Sequence, residues 1–476
     1  MGATDPAVRD VGVLLYRRLL RLDSQAFPAA DLATDYTISQ DGLTYHLALP
    51  GGQLWSDGRA ITAADVVATV NWVQSAKFGD DATAAPWRDV HVRAVGDGVT
   101  FDLAGPRASF AAQLTQLPIL PLGMLSTAQL SAVTSKPTSA MPTSGPLRVV
   151  SATATSITLF PNPHAARGVH LNQVAIDLFS SFADAAAAFR SRSVDAVVAN
   201  DPSQRAQLIV AGGISHDITT FRFVDLLFNQ RVPVMADPAV RQAVAASIDR
   251  SLLVSGPLRG MAMAEVGAIP AGVVWAAPHQ AIPARDLTAA AAALTADGWT
   301  LGPDGVRVRG TARLHLGLVV ADVAPLPEMA ASLARQLSAT GIDVAVSPLP
   351  AADLTRLLVG GGKYDMALAD WDSGPDPDVS SFWRSTAVPP AGFNVGGGQV
   401  DPFLDQALDR LATLTTTSAR VAAALAVTSQ LNDDLPALFL ETPQVSLVVR
   451  PGISVLIPPV GYSSARFDDI AGWHRG

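Results

Sequence analysis

Between Leu314 and Ala369 the hydrophobic pattern switches period four times: Leu314–Val320, Ile342–Val346 and Asp365–Ala369 read as strands, and Pro327–Thr340 and Ala351–Val359 as helices. A chain that alternates in this way folds into α/β layers, because each helix must carry the backbone across a sheet before the next strand can pair. The same grammar occurs earlier, as strand Val174–Phe179, helix Phe182–Arg190 and strand Val194–Ala199. Parallel strands are expected throughout. Tyr45–Leu49 alternates as a strand and breaks at Pro50-Gly51-Gly52. Thr62, answered by Asp65, can cap a helix whose buried face is Val66, Val67, Val70 and Val73. A further helix opens at Asp237-Pro238 and runs through Ile248, with Gly256 at its stop. The Ser/Thr/Pro stretch Thr134–Gly145 and the segment Arg222–Asn229 are candidate domain boundaries.

Composition narrows the function classes. The chain has 476 residues and no cysteine, which excludes disulfides, thiolate metal sites and cysteine nucleophiles. A formal net charge of −9 argues against a nucleic-acid partner, which would require a basic face. Hydrophobic residues reach 49% and charged ones only 16%, yet no apolar run is long enough to span a bilayer. Residues Met1–Asp23 carry no targeting segment, so the protein is either cytoplasmic or a mature form whose signal was removed. The absence of cysteine fits an exported protein better.

No catalytic pattern is present: neither a G-x-S-x-G elbow, nor H-E-x-x-H, nor either glycine-rich phosphate loop. The eight histidines share no helical ligand spacing, so neither a metal nor a cofactor is expected. Gly360-Gly361-Gly362 precedes a strand rather than a helix and reads as an ordinary turn. The segment Asp370-Trp371-Asp372-Ser373-Gly374-Pro375-Asp376-Pro377-Asp378 follows a strand directly, which is where open α/β sheets bind ligands. A carboxylate there suits an ammonium group, and Trp371 offers a flat wall. A solvated Asp/Pro turn is the plainer alternative, and calcium a third, although the EF-hand pattern is missing.

Several blocks then agree in order and spacing. Ser39-Gln40-Asp41-Gly42-Leu43-Thr44-Tyr45 precedes Trp55-Ser56-Asp57-Gly58 and Thr62-Ala63-Ala64-Asp65-Val66. Ser144-Gly145-Pro146, Leu227-Phe228-Asn229-Gln230, the run from Asp237 through Arg241-Gln242-Ala243 to Ile248-Asp249-Arg250, Thr340-Gly341-Ile342-Asp343-Val344 and Lys363-Tyr364-Asp365 follow. From Tyr16 to about Ile457 the chain resembles the extracellular solute-binding proteins of family 5, the oligopeptide and dipeptide receptors of ABC importers.

That resemblance implies a two-lobed periplasmic-binding-protein-like fold (type II, cluster C) with an extra subdomain and a hinge between the lobes. Lobe I would comprise residues 1–23, 144–221 and 446–476, the extra domain II residues 24–143, and lobe III residues 222–445. It further implies no enzymatic activity, a small ligand (peptide or non-peptide) between the lobes, an ABC permease as membrane partner, a monomer, and an exported lipoprotein whose signal and anchor cysteine are missing here. Phe228 and Asn229 would form the hinge and floor, and Trp371 with Asp372 would line the cleft. In peptide-binding members an aspartate three residues after the tryptophan pairs with the ligand's α-amino group. That position is Gly374 here; aligning on Pro375-Asp376-Pro377 instead puts Ser373 at the acid's place, with Asp372 adjacent. The acid of the family's Y-E-x-L is Arg17, after Tyr16, and the arginine some members carry before the tryptophan is Leu368. A charged terminus buried without a partner costs several kcal/mol. The missing acid therefore points toward an uncharged, capped, glycolipid-like or larger ligand. Two readings remain: a receptor feeding an ABC importer, or an envelope lipoprotein of the same fold that acts by protein or lipid contact, for example on cell-wall glycolipid synthesis.

Overall fold

The computed structural model describes residues 6–75, 78, 81–124, 141–276, 282–396 and 401–476; of the expected boundary Thr134–Gly145, residues 134–140 lie outside the described residues. Strands His315–Ala321, Asp343–Leu349 and Met366–Asp372 alternate with helices Leu326–Ser338 and Ala351–Val359, within a few residues of the pattern's expectation. They pair in parallel, His315 opposite Asp343 and Leu318 opposite Met366.

Beyond this unit the sheet is antiparallel. Met366–Asp372 pairs with Arg222–Phe228, which pairs with the 13-residue strand Ala437–Val449. These two strands enter from another part of the molecule rather than by a helical crossover, so nothing constrains them to run parallel. Helix Phe182–Arg190 likewise joins two different sheets. Val174–Asp177 pairs antiparallel with Ser156–Pro161, and Ala196–Ala199 pairs antiparallel with Ala437–Val449. Parallel pairing throughout is thus corrected to one parallel unit in a mixed sheet. The helix from Pro238 ends at Ser247, and Asp249 caps a separate helix, Arg250–Ser255, whose stop is Gly256.

Apolar side chains gather in separate clusters. The largest lies around Arg222–Phe228, His315–Ala321 and Met366–Asp372, and another beneath a four-stranded sheet that includes Thr44–Ala48 and Gly98–Leu103. A third joins the first helix, Pro6–Leu15, to Leu147–Leu159 and Phe467–Trp473. The Trp-Ser-Asp-Gly block is anchored in the third cluster by its tryptophan. Trp55 is fully buried, the Ser56 N–H donates to the Thr143 carbonyl at 2.8 Å, and the Thr143 N–H donates to Ser56 Oγ at 3.0 Å. A Cβ at Gly145 would stand 2.5 Å from the Leu14 carbonyl oxygen, so only glycine fits that approach. Seven residues past Trp55, Thr62 caps Ala63–Gln74, and its N–H donates to Asp65 Oδ2 at 2.9 Å.

Ala437–Val449 contributes to three clusters: Ala437–Leu440 to the largest, Leu447 and Val449 to the third, and Val448 to a smaller fourth. Its first half pairs with Arg222–Phe228; its second half pairs with Ile214–Thr219 and Ala196–Ala199. The partner of the long strand changes between Thr219 and Arg222 on one side and between Glu441 and Gln444 on the other (the crossing), and Arg222–Phe228, within the segment expected as a boundary, is a core strand. Glu441 and Asp225 are buried beside the crossing, and Glu441 Oε2 and Asp225 Oδ2 lack hydrogen-bond partners among the described residues. Burial pushes both acids well above the carboxylate range, and the Asp370 charge adds to the effect.

The loop after Met366–Asp372 is held by a buried ion pair. Arg420 donates to both oxygens of Asp376, at 2.9 and 2.5 Å, and its guanidinium lies 5.2 Å from the centre of the Trp275 ring. Removing one member of such a pair leaves an uncompensated buried charge. Asp376→Ala should therefore lower unfolding free energy by about 3–5 kcal/mol, read by urea denaturation; a loss below about 1 kcal/mol would place the pair among surface bridges. Glu441 offers a second test. Folded, it keeps a proton that the unfolded chain gives up above roughly pH 4.3, so stability falls as pH rises. Glu441→Gln is expected to raise the melting temperature at pH 8 and to change it little at pH 4; equal shifts at both pH values would contradict this.

Candidate functional site

Strand alternation decides which side chains meet. Arg222 stands opposite Asp372, and Val224 opposite both Asp370 and Glu441. Opposed residues share a face and residues two apart share a face, so Arg222, Asp370, Asp372 and Glu441 line one side of the sheet. Phe223, Asp225 and Trp371 line the other. Each face carries a diagonal polar contact. On the first, Arg222 Nε donates to Asp370 Oδ1 at 2.9 Å and Nη2 donates to Oδ2. On the second, the Trp371 indole N–H donates to Asp225 Oδ1 at 3.2 Å.

The first face opens onto a cavity of about 1020 Å³, at the upper end of the usual size for ligand sites. Its walls come from the first helix and the strand after it, the segment Leu171–Gln204, the crossing Thr220–Arg222, Asp372 and the C-terminal segment Ile453–Arg475. Five arginines and five aspartates line it, so it has no net preference for one charge sign. Most of these charges are matched within the protein: Arg466 with Asp10, Arg18 with Asp468 at 3.8 Å, Arg475 with Asp195 at 2.7 Å, and Arg222 with Asp370. Arg9, Asp177 and Asp372 make no ion pair among the described residues. Asp372 accepts one hydrogen bond, from the Gly374 N–H at 3.0 Å. Burial raises its pKa, and Arg222 and Arg9 oppose the rise. Burial likewise pushes Asp468 up to about 6 against Arg18. Tyr462 lines the same wall, with its hydroxyl 3.4 Å from where a Gly374 side chain would begin.

Of the eight residues singled out in the sequence, Asp372 alone lines this cavity. Trp371 turns the opposite way and packs its half-buried ring against Phe382 and Phe393, at 5.5 and 6.1 Å between ring centres. Ser373 donates through its N–H and its hydroxyl to the Phe221 carbonyl, which pins the loop to the crossing. Asp376 is occupied by Arg420. Phe228 is fully buried in the largest core, because it continues an apolar strand. The Asn229 side chain ties its strand end to a distant segment by donating to the Tyr364 carbonyl at 2.8 Å, and its Oδ1 accepts from the Arg231 N–H in the turn that follows. Tyr16 is buried among the third cluster's side chains. Arg17 donates to Asp31 at 2.7 Å and to Gln53 at 2.6 Å, so its charge serves an internal junction. Arg9, Arg222 and Tyr462 were not anticipated. Arg222 and Asp225 interrupt an otherwise apolar strand, which is a visible signal, but their partners depend on a register across 148 residues.

Comparison with known proteins gives a consistent result. Residues 28–393 match the model for bacterial extracellular solute-binding proteins, family 5 Middle. The Streptomyces lividans protein XP55 is 27% identical over 384 residues, covering 78% of this chain and 68% of XP55. A Brucella ovis protein named among ABC transporter peptide-binding proteins is 25% identical over 424 residues, covering 85% of this chain and 77% of its own length. Among solved structures, the substrate-binding protein CtaP of Listeria monocytogenes superposes with a TM-score of 0.82 at 19% identity, over 99% of this chain and 95% of that one. The oligopeptide-binding protein AppA of Bacillus subtilis, solved with a nonapeptide, gives 0.71 at 20% identity, over 100% and 95%. These likenesses show the two-lobed binding-protein fold. With a family match across more than three quarters of its length, this chain belongs to the bacterial extracellular solute-binding proteins of family 5.

Proposed function

We propose that this chain is the solute-binding receptor of an ABC importer and that its ligand is a short peptide or a peptide-like molecule carrying both charge signs. The observation that carries the ligand class is Asp372: a carboxylate on the cavity wall with no ion pair among the described residues, in a cavity whose arginines and aspartates balance. An ammonium group would satisfy it, because opposite charges in a partly desolvated site attract far more strongly than in water. The missing acid at Gly374 pointed away from charged peptide termini; Asp372 removes the reason for that exclusion, since it meets the cavity from the strand itself. A nonapeptide bound to AppA and the naming of the Brucella relative favour the same class. They favour the importer over the alternative of an envelope lipoprotein acting by contact.

The lobes follow from the same reading. Lobe I takes residues 1–23, 144–221 and 446–476, domain II residues 24–143 and lobe III residues 222–445; the separate apolar clusters support this division. Closure would bend the crossings at Thr219–Arg222 and Glu441–Gln444. The family is extracellular, and we assign this chain an envelope location with a lipid anchor and an ABC permease as partner.

Matched pools of tri- to nonapeptides, with free and with acetylated amino termini, test the proposal by thermal shift. The free-amine pool should stabilise the protein, by about 2.7 kcal/mol at a hundredfold excess over Kd. Asp372→Asn should weaken that binding at least tenfold while leaving the melting temperature of the unliganded protein nearly unchanged. Equal stabilisation by the acetylated pool, or full retention of binding in Asp372→Asn, would remove Asp372 from the site.

A further inference from the structure

We infer that Arg222 is the anion-receiving residue of the cavity, and that its guanidinium, fixed from behind by Asp370, takes a carboxylate of the bound ligand. This rests on the solute-binding reading of the cavity but not on the ligand being a peptide.

The argument begins with donor geometry. A guanidinium has five N–H groups arranged along planar edges, and each edge can engage one carboxylate in a two-pronged contact. Asp370 occupies the edge formed by Nε and Nη2. The Nη1 group has no hydrogen-bond partner among the described residues, and the edge it shares with Nη2 remains for a second acceptor. Arg222 lines the cavity and its side chain is 42% exposed, whereas Asp370 behind it is 16% exposed. The donor is therefore presented to the cavity and its holder is withdrawn from it. A side chain gripped along one edge loses little further rotamer freedom when a ligand takes the other, which favours binding.

Charge sets the rest of the ligand's description. Asp370 already balances Arg222, and Asp372, opposite Arg222 in register, would repel an anion placed there. The carboxylate must therefore arrive on a molecule whose own cationic group meets Asp372, with Arg9 on the same cavity adding positive potential. Arg222 begins lobe III at the end of the crossing. A ligand held by both Arg222 and the C-terminal segment around Tyr462 would thus bridge the two sides of the hinge.

Tri-peptide pools with free amines, one with free carboxyl termini and one with C-terminal amides, provide the test by isothermal titration. The wild type should prefer the free acids at least tenfold. The double variant Arg222→Gln/Asp370→Asn replaces the ion pair by a neutral one, avoids an orphaned buried carboxylate, and should bind both pools alike. Asp370→Asn alone, which frees the guanidinium, should lose part of the preference without weakening the amide pool. Equal binding of both pools by the wild type, or a preference that survives in the double variant, overturns the inference. If neither pool binds, the peptide proposal fails separately. A non-peptide fragment carrying both charges then decides: saturation-transfer NMR with 4-(aminomethyl)benzoate should give a signal that 4-(aminomethyl)benzamide lacks and that the double variant loses. Absence of that difference also overturns the role of Arg222.

Discussion

One strand, Ala437–Val449, is the constraint on which the molecule depends. Its 13 residues are longer than either core needs, because one half completes the sheet around Arg222–Phe228 and the other half the sheet around Ile214–Thr219. Two cores that share a backbone strand are tied together by it, and each engages a different end of that strand. The ladder is irregular between Val224 and Asp225, where the pairing partner steps from Glu441 to Phe439. A bulge at such a point bends the strand and increases its local twist.

The same junction concentrates polar groups that a core would ordinarily exclude. Asp225, Glu441 and Glu265 are buried there, with Arg222 and Asp370 at the edge. Glu265 is satisfied by the N–H groups of Val266 and Ala271 and by the Thr442 hydroxyl. The unpartnered oxygens of Asp225 and Glu441 cost free energy in the described conformation, since each lost its hydration without replacement. Asp225 and Glu441 lie on strands that flank the cavity-lining residues Arg222 and Asp372 without lining the cavity themselves. The junction is therefore polar on both faces of a sheet whose further strands are apolar, such as His315–Ala321.

Much of the fold was legible because periodicity and capping are local. The unit from His315 to Asp372 and the helix capped by Thr62 lie where their patterns put them, since hydrophobic period and cap chemistry act within a few residues. Strand direction was not legible: Val174–Asp177 and Ala196–Ala199 flank a helix as a parallel pair would, but distant strands claim them first. Of the residues the sequence singled out, Asp372 is the one that lines the cavity. Phe228 and Asn229 carry the family's pattern because a buried strand end and a turn need them, so a motif that identifies the family there reports packing. Arg222 is one of two charged residues in an otherwise apolar strand, and its partner lies 148 positions away.

The loop after Trp371 shows why site residues transfer poorly even where the fold transfers well. Residues 371 and 372 are consecutive on a strand, so their side chains must leave the sheet on opposite faces. Trp371 goes to the aromatic cluster with Phe382 and Phe393, and Asp372 therefore goes to the cavity. The loop that follows is then fixed in place: Ser373 is bonded to the Phe221 carbonyl, Gly374 turns with φ +76°, and Asp376 is gripped by Arg420. A side chain at Gly374 would need that left-handed backbone and would approach Tyr462. An acid at that position is thus opposed by the geometry of this loop. A carboxylate can reach the cavity one strand residue earlier instead, where alternation alone aims it and where Arg222 stands directly across the ladder.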